Sequence, residues 1–422
     1  MIVDAIPETG LPMAPPRQRV REERVGGQAF DPGTGEVTSL TEDELQALRH
    51  AAAADDTLRY FATRSWTSGV LPEGCLSTPN RIYLEVTGRC NLSCVMCYRE
   101  GEDEEEFPTE ELTDLIGRLA AIGVHEIRFT GGEPTVRDDL PALIDAALGH
   151  GLYTSLGTNG VWREGLAREL LARPIGRYLV SLDGPEEIND ALRGAGAFAR
   201  TAATLSRLVT AGRKVRVNTV ITPHVLDMLP DFARQLADRG VRHLSLIAPR
   251  PTGRGATDAF NTDRPGAAEM ARVSRMLPDL QGQTGVQVEF QYGSDAGTAT
   301  GQSSDPVIRK VLCCPAGREA AFISPAGWLH ACGCSPGGSA DAAARAPFAA
   351  GNVRGLSARA LHALWLGTDV WGVFRDLRRS KHAACFTCAR YGNGCFGSCP
   401  VHAYLASGDF AGPDPLCPLA GC

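Results

Sequence analysis

Cys90, Cys94 and Cys97 lie in the run Cys90-Asn-Leu-Ser-Cys94-Val-Met-Cys97. Three thiolates this close on one loop suit three irons of a cubane iron–sulfur cluster, because soft thiolate is the ligand such clusters need. The usual fourth protein ligand is missing, so one iron is left open for something that is not protein. Zinc would ordinarily draw its thiolates from two pairs. Thr130-Gly131-Gly132-Glu133-Pro134 follows an apolar run at 125–129. Paired glycines at a strand end let a backbone approach a ligand closely. Alone, that string also fits a plain strand–turn–helix connection.

The chain holds fourteen cysteines in 422 residues. One is Cys75, three form the loop above, none lies between Cys97 and Cys313, and ten fall between Cys313 and Cys422. A disulfide scaffold would spread its crosslinks through a small exported chain. The N-terminal MIVDAIPETG carries Asp4 and Glu8 and has no apolar core, so no secretory signal is expected. Metal or iron–sulfur ligation in a reducing cytoplasm is the better reading. No run of about 20 apolar residues is present, which argues against a membrane span. The net charge of −7 supplies no basic field for phosphates, so nucleic acid is not an expected partner.

The elements that must position these residues follow from pattern. Strand-like runs recur at 81–87, 125–130, 153–157, 177–182, 215–221 and 243–248. Helical patterns fall at 109–121, 140–149, 166–172, 199–211 and 225–239. Alternating strand and helix with short loops means parallel strands in βαβ units. In the C-terminal third, apolar runs flank Pro325-Ala-Gly327 between Cys314 and Cys332, a hairpin signal that brings those two cysteines together. Near the start, residues 25–31 and 36–40 flank Pro32-Gly-Thr-Gly35 as a second hairpin. Thr41 and Glu44 form a capping box for a helix over 45–53. Residues 1–20 are Pro-rich and polar and are expected to be disordered. The acidic run 100–106 reads as a solvated helix approach rather than chemistry.

CxxxCxxC on the first strand's loop, followed by GGEP after the second strand, resembles the radical S-adenosylmethionine (radical SAM) superfamily. The resemblance implies a partial (β/α)6 TIM-like barrel over 76–300, with ligands at the C-terminal strand ends. It implies that SAM chelates the open iron through its methionine amino and carboxyl groups and that Gly131, Gly132, Glu133 and Pro134 approach the amino group. The position before the third cysteine, often aromatic in the family, is Met96, followed by Tyr98; Met can still pack against a purine. Thr158, Asn159, Ser181, Asn218 and Leu246 lie at strand ends suited to SAM contact. Arg193 resembles a family arginine that pairs with the SAM carboxylate. Local capping or a surface ion pair is the other reading of Ser181, Asn218 and Arg193, and Asp183-Gly184 fits a turn. The loop Pro251–Gly255 is either a basic patch for an acidic substrate group or a turn with one solvated arginine.

The C-terminal cysteines resemble the SPASM extension of radical SAM enzymes over about 310–420. The family spacing is CX9-15GX4C, CX2CX5CX3C and a final C; here six residues separate Cys388 and Cys395 instead of five. By that resemblance a proximal auxiliary cluster takes Cys314, Cys332 and Cys399, and a distal one takes Cys385, Cys388, Cys395 and Cys417. The fourth proximal ligand is expected to be Cys334, with Cys313 as rival, or the position stays open. Zinc is the competing metal. The expected domains are 1–20 disordered, 21–75 a hairpin–helix segment that binds a leader peptide or caps the barrel, 76–300 the barrel, and 301–422 the SPASM domain. The expected activity is cytoplasmic, oxygen-sensitive and reductive: SAM is cleaved to a 5′-deoxyadenosyl radical that takes hydrogen from an unactivated carbon. Three 4Fe-4S clusters and SAM are the cofactors. A ribosomally made precursor peptide is the expected substrate and flavodoxin or ferredoxin the expected electron donor. A sugar, an aminocyclitol or a sulfatase is the alternative substrate, and a non-catalytic electron-transfer protein the alternative class.

Overall fold

The computed structural model describes residues 18–52, 57–67, 71–99, 105–257, 260, 264–290, 314–376, 379, 381–389, 391 and 397–417. Cys313, Cys395, Cys422 and most of the acidic run lie outside them. Its N-terminal module comprises β1 (Gln18–Glu22), β2 (Gly27–Phe30), β3 (Val37–Leu40), α1 (Glu42–Ala52) and β4 (Leu58–Phe61). The strands form one sheet in the order β3-β2-β1-β4. Leu45 of α1 packs on Val20, Leu40 and Tyr60. The capping box forms: Thr41 N donates to Glu44 Oε2 at 2.8 Å, and Glu44 N to Thr41 Oγ1 at 3.3 Å.

The expected hairpin is therefore half of a four-stranded sheet. Residues 18–20, expected to be disordered, are strand; 1–17 lie outside the described residues. The reason is burial of charge. Arg19 and Arg21 are both fully buried. Arg19 donates to the carbonyls of Ala120 (3.0 Å) and Gly151 (3.3 Å), and Arg21 to Gly123 O (2.9 Å) and Asn80 Oδ1 (2.7 Å). Carbonyls near helix C-termini carry partial negative charge and suit a guanidinium.

The barrel strands are β5 (Arg81–Thr87), β6 (Glu126–Gly131), β7 (Tyr153–Thr158), β8 (Arg177–Ser181), β9 (Val215–Val220) and β10 (His243–Ile247). They pair side by side in parallel. The connecting helices are α2 (Thr109–Ala121), α3 (Leu140–Gly149), α4 (Leu166–Leu171), α5 (Glu186–Arg193), α6 (Ala197–Thr210) and α7 (Pro223–Asp238). Their apolar stripes meet the sheet: Leu112, Leu115, Ile116 and Leu119 of α2 are buried at helical spacing.

The sheet does not stop at six strands. After α8 (Ala267–Thr284), β11 (Gln287–Phe290) pairs in parallel with β10. At the other edge, β12 (Ala320–Ile323) pairs in parallel with β5. The β12 strand then turns through Gly327 (φ 90°) into β13 (Trp328–His330), which pairs with β14 (Ala349–Asn352). The expected hairpin thus forms, and it is sewn to the strand that leads into the Cys90 loop. Helices α9 (Ala358–Gly367) and α10 (Pro400–Ser407) complete the C-terminal region. Trp365 of α9 donates to Leu76 O at 2.9 Å, tying this region to the segment before β5. Among the described residues no helix is long and apolar enough to cross a membrane.

Candidate active site

A cavity of about 350 Å³ opens at the C-terminal ends of the barrel strands. Cys90, Cys94 and Cys97 all line it from the loop after β5. Two backbone bonds shape the loop: Val95 N donates to Leu192 O at 3.0 Å and Cys97 N to Cys94 O at 3.3 Å. Asn159 holds its start, donating through Nδ2 to Asn91 Oδ1 at 2.8 Å and lying 3.8 Å from Cys90 Sγ. Burial pushes the Cys90 and Cys94 thiols up in pKa. Bare, these thiols therefore rest protonated, and binding iron as thiolates would release those protons.

The two glycines after β6 are required by contact. Gly132 N donates to Thr87 O and Glu133 N to Arg89 O, both at 2.9 Å. A Cβ on Gly131 (φ 140°) would sit 2.3 Å from Thr87 O, and one on Gly132 would sit 2.2 Å from Arg89 O. The backbone therefore lies flush against the Cys90 loop with its edge in the cavity, a cradle that fits a ligand on the open iron. Glu133 is buried and does not project as a free acid. Its carboxylate accepts from Thr135 N, Thr135 Oγ1, Thr158 Oγ1 and Asn159 N, at 3.2, 2.6, 2.8 and 2.6 Å. It joins the end of β6 to the end of β7.

Thr158, Asn159, Ser181, Asn218, Met96 and Tyr98 line the same cavity. Two expected residues do not. Pro134 opens a short 3-10 turn behind the cradle. Leu246 is fully buried in the main core. Strand side chains alternate, so Leu246 faces the helices while the neighbouring Ile247 faces the cavity. Arg193 lines the cavity but is not a surface ion pair: Nε donates to Asp183 Oδ2 at 2.6 Å, and both groups are buried. Asp183 also accepts from Val220 N at 2.6 Å, so it is an anchor, not only a turn residue.

The Pro251–Gly255 loop clamps the Cys90 loop from outside. Arg254 Nε donates to Cys94 O, Thr252 Oγ1 to Tyr98 O and Gly255 N to Cys97 O, each at 2.9 Å. Its glycines allow this contact, since a Cβ on Gly253 would lie 2.4 Å from Arg99 O. Glu106, read as part of a solvated run, accepts from Gly88 N at 3.0 Å and from Thr87 Oγ1. At the cavity floor, Tyr83 and Phe322 stack at 4.1 Å where β5 meets β12, and Arg128 donates to Tyr83 Oη at 3.2 Å. These roles depend on neighbours distant in sequence and carry no local signal.

The C-terminal thiols approach the same cavity. Cys334 lines it together with Arg250. The charge of Arg250 is felt by Cys334, Cys399, Cys332 and Cys314, most strongly by Cys334. Cys334 N lies 3.4 Å from Cys332 Sγ. Hydrogen bonding between that pair holds the Cys334 thiol down and Cys332 up. An all-thiol donor set suits an iron–sulfur cluster or zinc. Farther out, Cys385 and Cys388 share one tight turn, and Ser398 N donates to Cys385 Sγ at 3.5 Å. Cys399 N and Cys417 N both donate to Asp414, through Oδ2 at 2.7 Å and O at 3.0 Å. The described cysteines are all free of disulfides, Cys75 among them in the core. Among the described residues no three His, Cys, Asp or Glu side chains converge on a single-ion site. Arg250, His402 and Asp414 were missed from sequence, although each lies within a few residues of a cysteine or a strand end.

A model of the radical SAM superfamily matches residues 84–251. The mycofactocin maturase MftC of Mycobacterium ulcerans (strain Agy99) is 33% identical over 348 residues, covering 81% of this chain and 88% of that protein. An AdoMet-dependent heme synthase of Methanosarcina barkeri (strain Fusaro / DSM 804) is 27% identical over 360 residues, covering 81% and 97%. The crystal structure of Streptococcus suis SuiB bound to precursor peptide SuiA superposes with a TM-score of 0.70 over 98% of this chain and 99% of that one, at 16% identity, a likeness of fold. A three-thiol loop, a glycine cradle flush against it and a parallel barrel around both thus coincide with these matches, and the chain belongs to the radical SAM superfamily, with a SPASM-like auxiliary domain.

Proposed function

We propose that the chain is a peptide maturase that uses a 5′-deoxyadenosyl radical to take hydrogen from an unactivated carbon of a ribosomally made peptide. The observation that carries this is the shared cavity: Cys334 of the auxiliary thiols faces the same space as Cys90, Cys94 and Cys97. A reacting carbon placed there lies between two redox sites. Likeness to a maturase across most of the chain favours a peptide as its bearer.

The bound cluster and SAM supply the one-electron chemistry that produces the radical. Cys90, Cys94 and Cys97 hold three irons. The Gly131-Gly132 edge takes the SAM amino group, Arg193 its carboxylate, and Ser181 and Asn218 flank it. Met96 packs against adenine. Asp183 keeps Arg193 aimed. Tyr83 and Phe322 close the floor and exclude water. Cys314, Cys332, Cys334 and Cys399 hold a proximal auxiliary cluster; Cys385, Cys388, Cys395 and Cys417 hold a distal one. Clusters held there would supply an acceptor for the electron that the substrate radical gives up. The exposed side of β3 offers an edge to which a leader peptide adds as a strand. A flavodoxin or ferredoxin of the cytoplasm supplies the first electron.

Anaerobic reconstitution with SAM and dithionite tests the core of this reading. Release of 5′-deoxyadenosine is expected, with about 12 iron and 12 sulfide per chain for three four-iron clusters. No release refutes the enzyme assignment. A content near ~4 refutes the auxiliary clusters.

A further inference from the structure

We propose that Arg250, braced by His402 and Asp414, is a positioning residue that sets how easily the proximal auxiliary site is reduced. This rests on the auxiliary-cluster reading above. Arg250 follows β10 and lines the cavity from the side of the Cys334 loop. Its Nη1 lies 3.0 Å from His402 Nε2. A guanidinium only donates, so Nε2 accepts and the imidazole proton sits on Nδ1. That nitrogen faces Asp414 Oδ1 at 3.7 Å, with both side chains almost fully buried. Asp414 in turn accepts from Cys399 N at 2.7 Å and Leu416 N at 3.0 Å. A polar strut thus runs from the end of a barrel strand, through α10, to the backbone of a cluster cysteine.

The Nε of the guanidinium takes no part in the strut. Arg250 Nε is buried and has no hydrogen-bond partner among the described residues. A buried donor without an acceptor is costly, so it points to a partner. Cys334 lines the same cavity beside the guanidinium, and the strut ends on Cys399, so the acceptor indicated is a cluster sulfide or Sγ atom. Hydrogen bonds to the sulfurs and nearby charge are the protein's means of setting a cluster's potential. Reduction adds negative charge. A fixed cation beside it favours the reduced form, more strongly where water is excluded. Arg250 would thereby make the auxiliary site a better acceptor for the electron leaving the substrate.

An EPR-monitored redox titration of the loaded enzyme tests this. Arg250→Gln is expected to keep the iron and sulfide content and to lower the midpoint of one auxiliary signal. A tenfold change in the reduction equilibrium would read as about 59 mV for one electron. Arg250→Lys, which keeps the charge, is expected to recover most of the shift. An unchanged midpoint in fully loaded Arg250→Gln overturns the inference. So does a shift in Arg250→Lys as large as in Arg250→Gln. Loss of the auxiliary cluster in both variants makes the residue structural and also overturns it. A wild-type protein with iron for a single cluster instead defeats the auxiliary-cluster reading.

Discussion

Replacing Gly132 by alanine puts a methyl group 2.2 Å from Arg89 O and 2.6 Å from Gly88 O. A carbon–oxygen contact settles at about 3.3 Å or more, so the two backbones must part by about 1 Å. Neither neighbour is a flexible side-chain tip; both are carbonyls of the loop that carries Cys90. The Gly132 N to Thr87 O and Glu133 N to Arg89 O bonds resist the movement, so Cys90 shifts with the loop. Strain of this kind costs about 1–3 kcal/mol. A misplacement of ~1 Å at a reacting centre costs on the order of 10²-fold in rate. The Gly132→Ala enzyme is therefore expected to fold with a modestly lowered Tm and to release 5′-deoxyadenosine about a hundredfold more slowly under dithionite. Gly149→Ala is the control, because a Cβ there meets nothing within 4 Å and the site ends a helix. It is expected to leave both quantities near wild type. A Gly132→Ala enzyme that cleaves SAM at the wild-type rate would refute the cradle argument.

Glu133→Gln replaces a four-bond acceptor by a group with one acceptor oxygen, so at least one buried donor loses its partner. A loss of about 1–3 kcal/mol in stability is expected, with weaker SAM binding by calorimetry at unchanged iron content. Glu126 carries a pH dependence. Burial opposes its charge, but Arg81 and Arg128 outweigh that and hold it at about 2 against its usual 4.5. The ionised form therefore favours the folded chain above about pH 4.5, and that contribution, about 3 kcal/mol, fades as pH falls toward 2. Denaturant melts between pH 6 and pH 3 are expected to show this slope, reduced in Glu126→Gln.

Where a residue's role is set by its neighbours in sequence, the sequence told it. The alternation of 81–87 is β5, and the stripe Leu112-Leu115-Ile116-Leu119 is α2. Three close thiols and paired glycines carry their chemistry in their spacing. Roles set by distant contacts stayed hidden. The β1 strand hides behind two arginines whose partners include backbone carbonyls about a hundred residues away. The β11 and β12 strands are short, and the sheet edge that recruits them is not visible locally. Leu246 was misplaced by one position, enough to turn it from cavity to core in a strand. Pro134 was carried along with its motif although only the residues before it reach the cavity. Arg250 stands one residue before the loop whose sequence suggests a basic patch or a turn, and its partners His402 and Asp414 lie about 150 residues on.

The arginine anchors of β1 have a consequence for where on a peptide the chemistry falls. They fasten the N-terminal module to Asn80, Ala120, Gly123 and Gly151, residues near the starts of β5, β6 and β7. The cavity lies at the other ends of those strands. The seven residues of β5 span about 23 Å at ~3.3 Å each. A peptide docked on β3 as proposed therefore needs on the order of seven extended residues to reach across that length. Because the anchors are buried and the module cannot swing freely, that length is fixed. The enzyme would act as a ruler, selecting its target residue by counting from the docked segment.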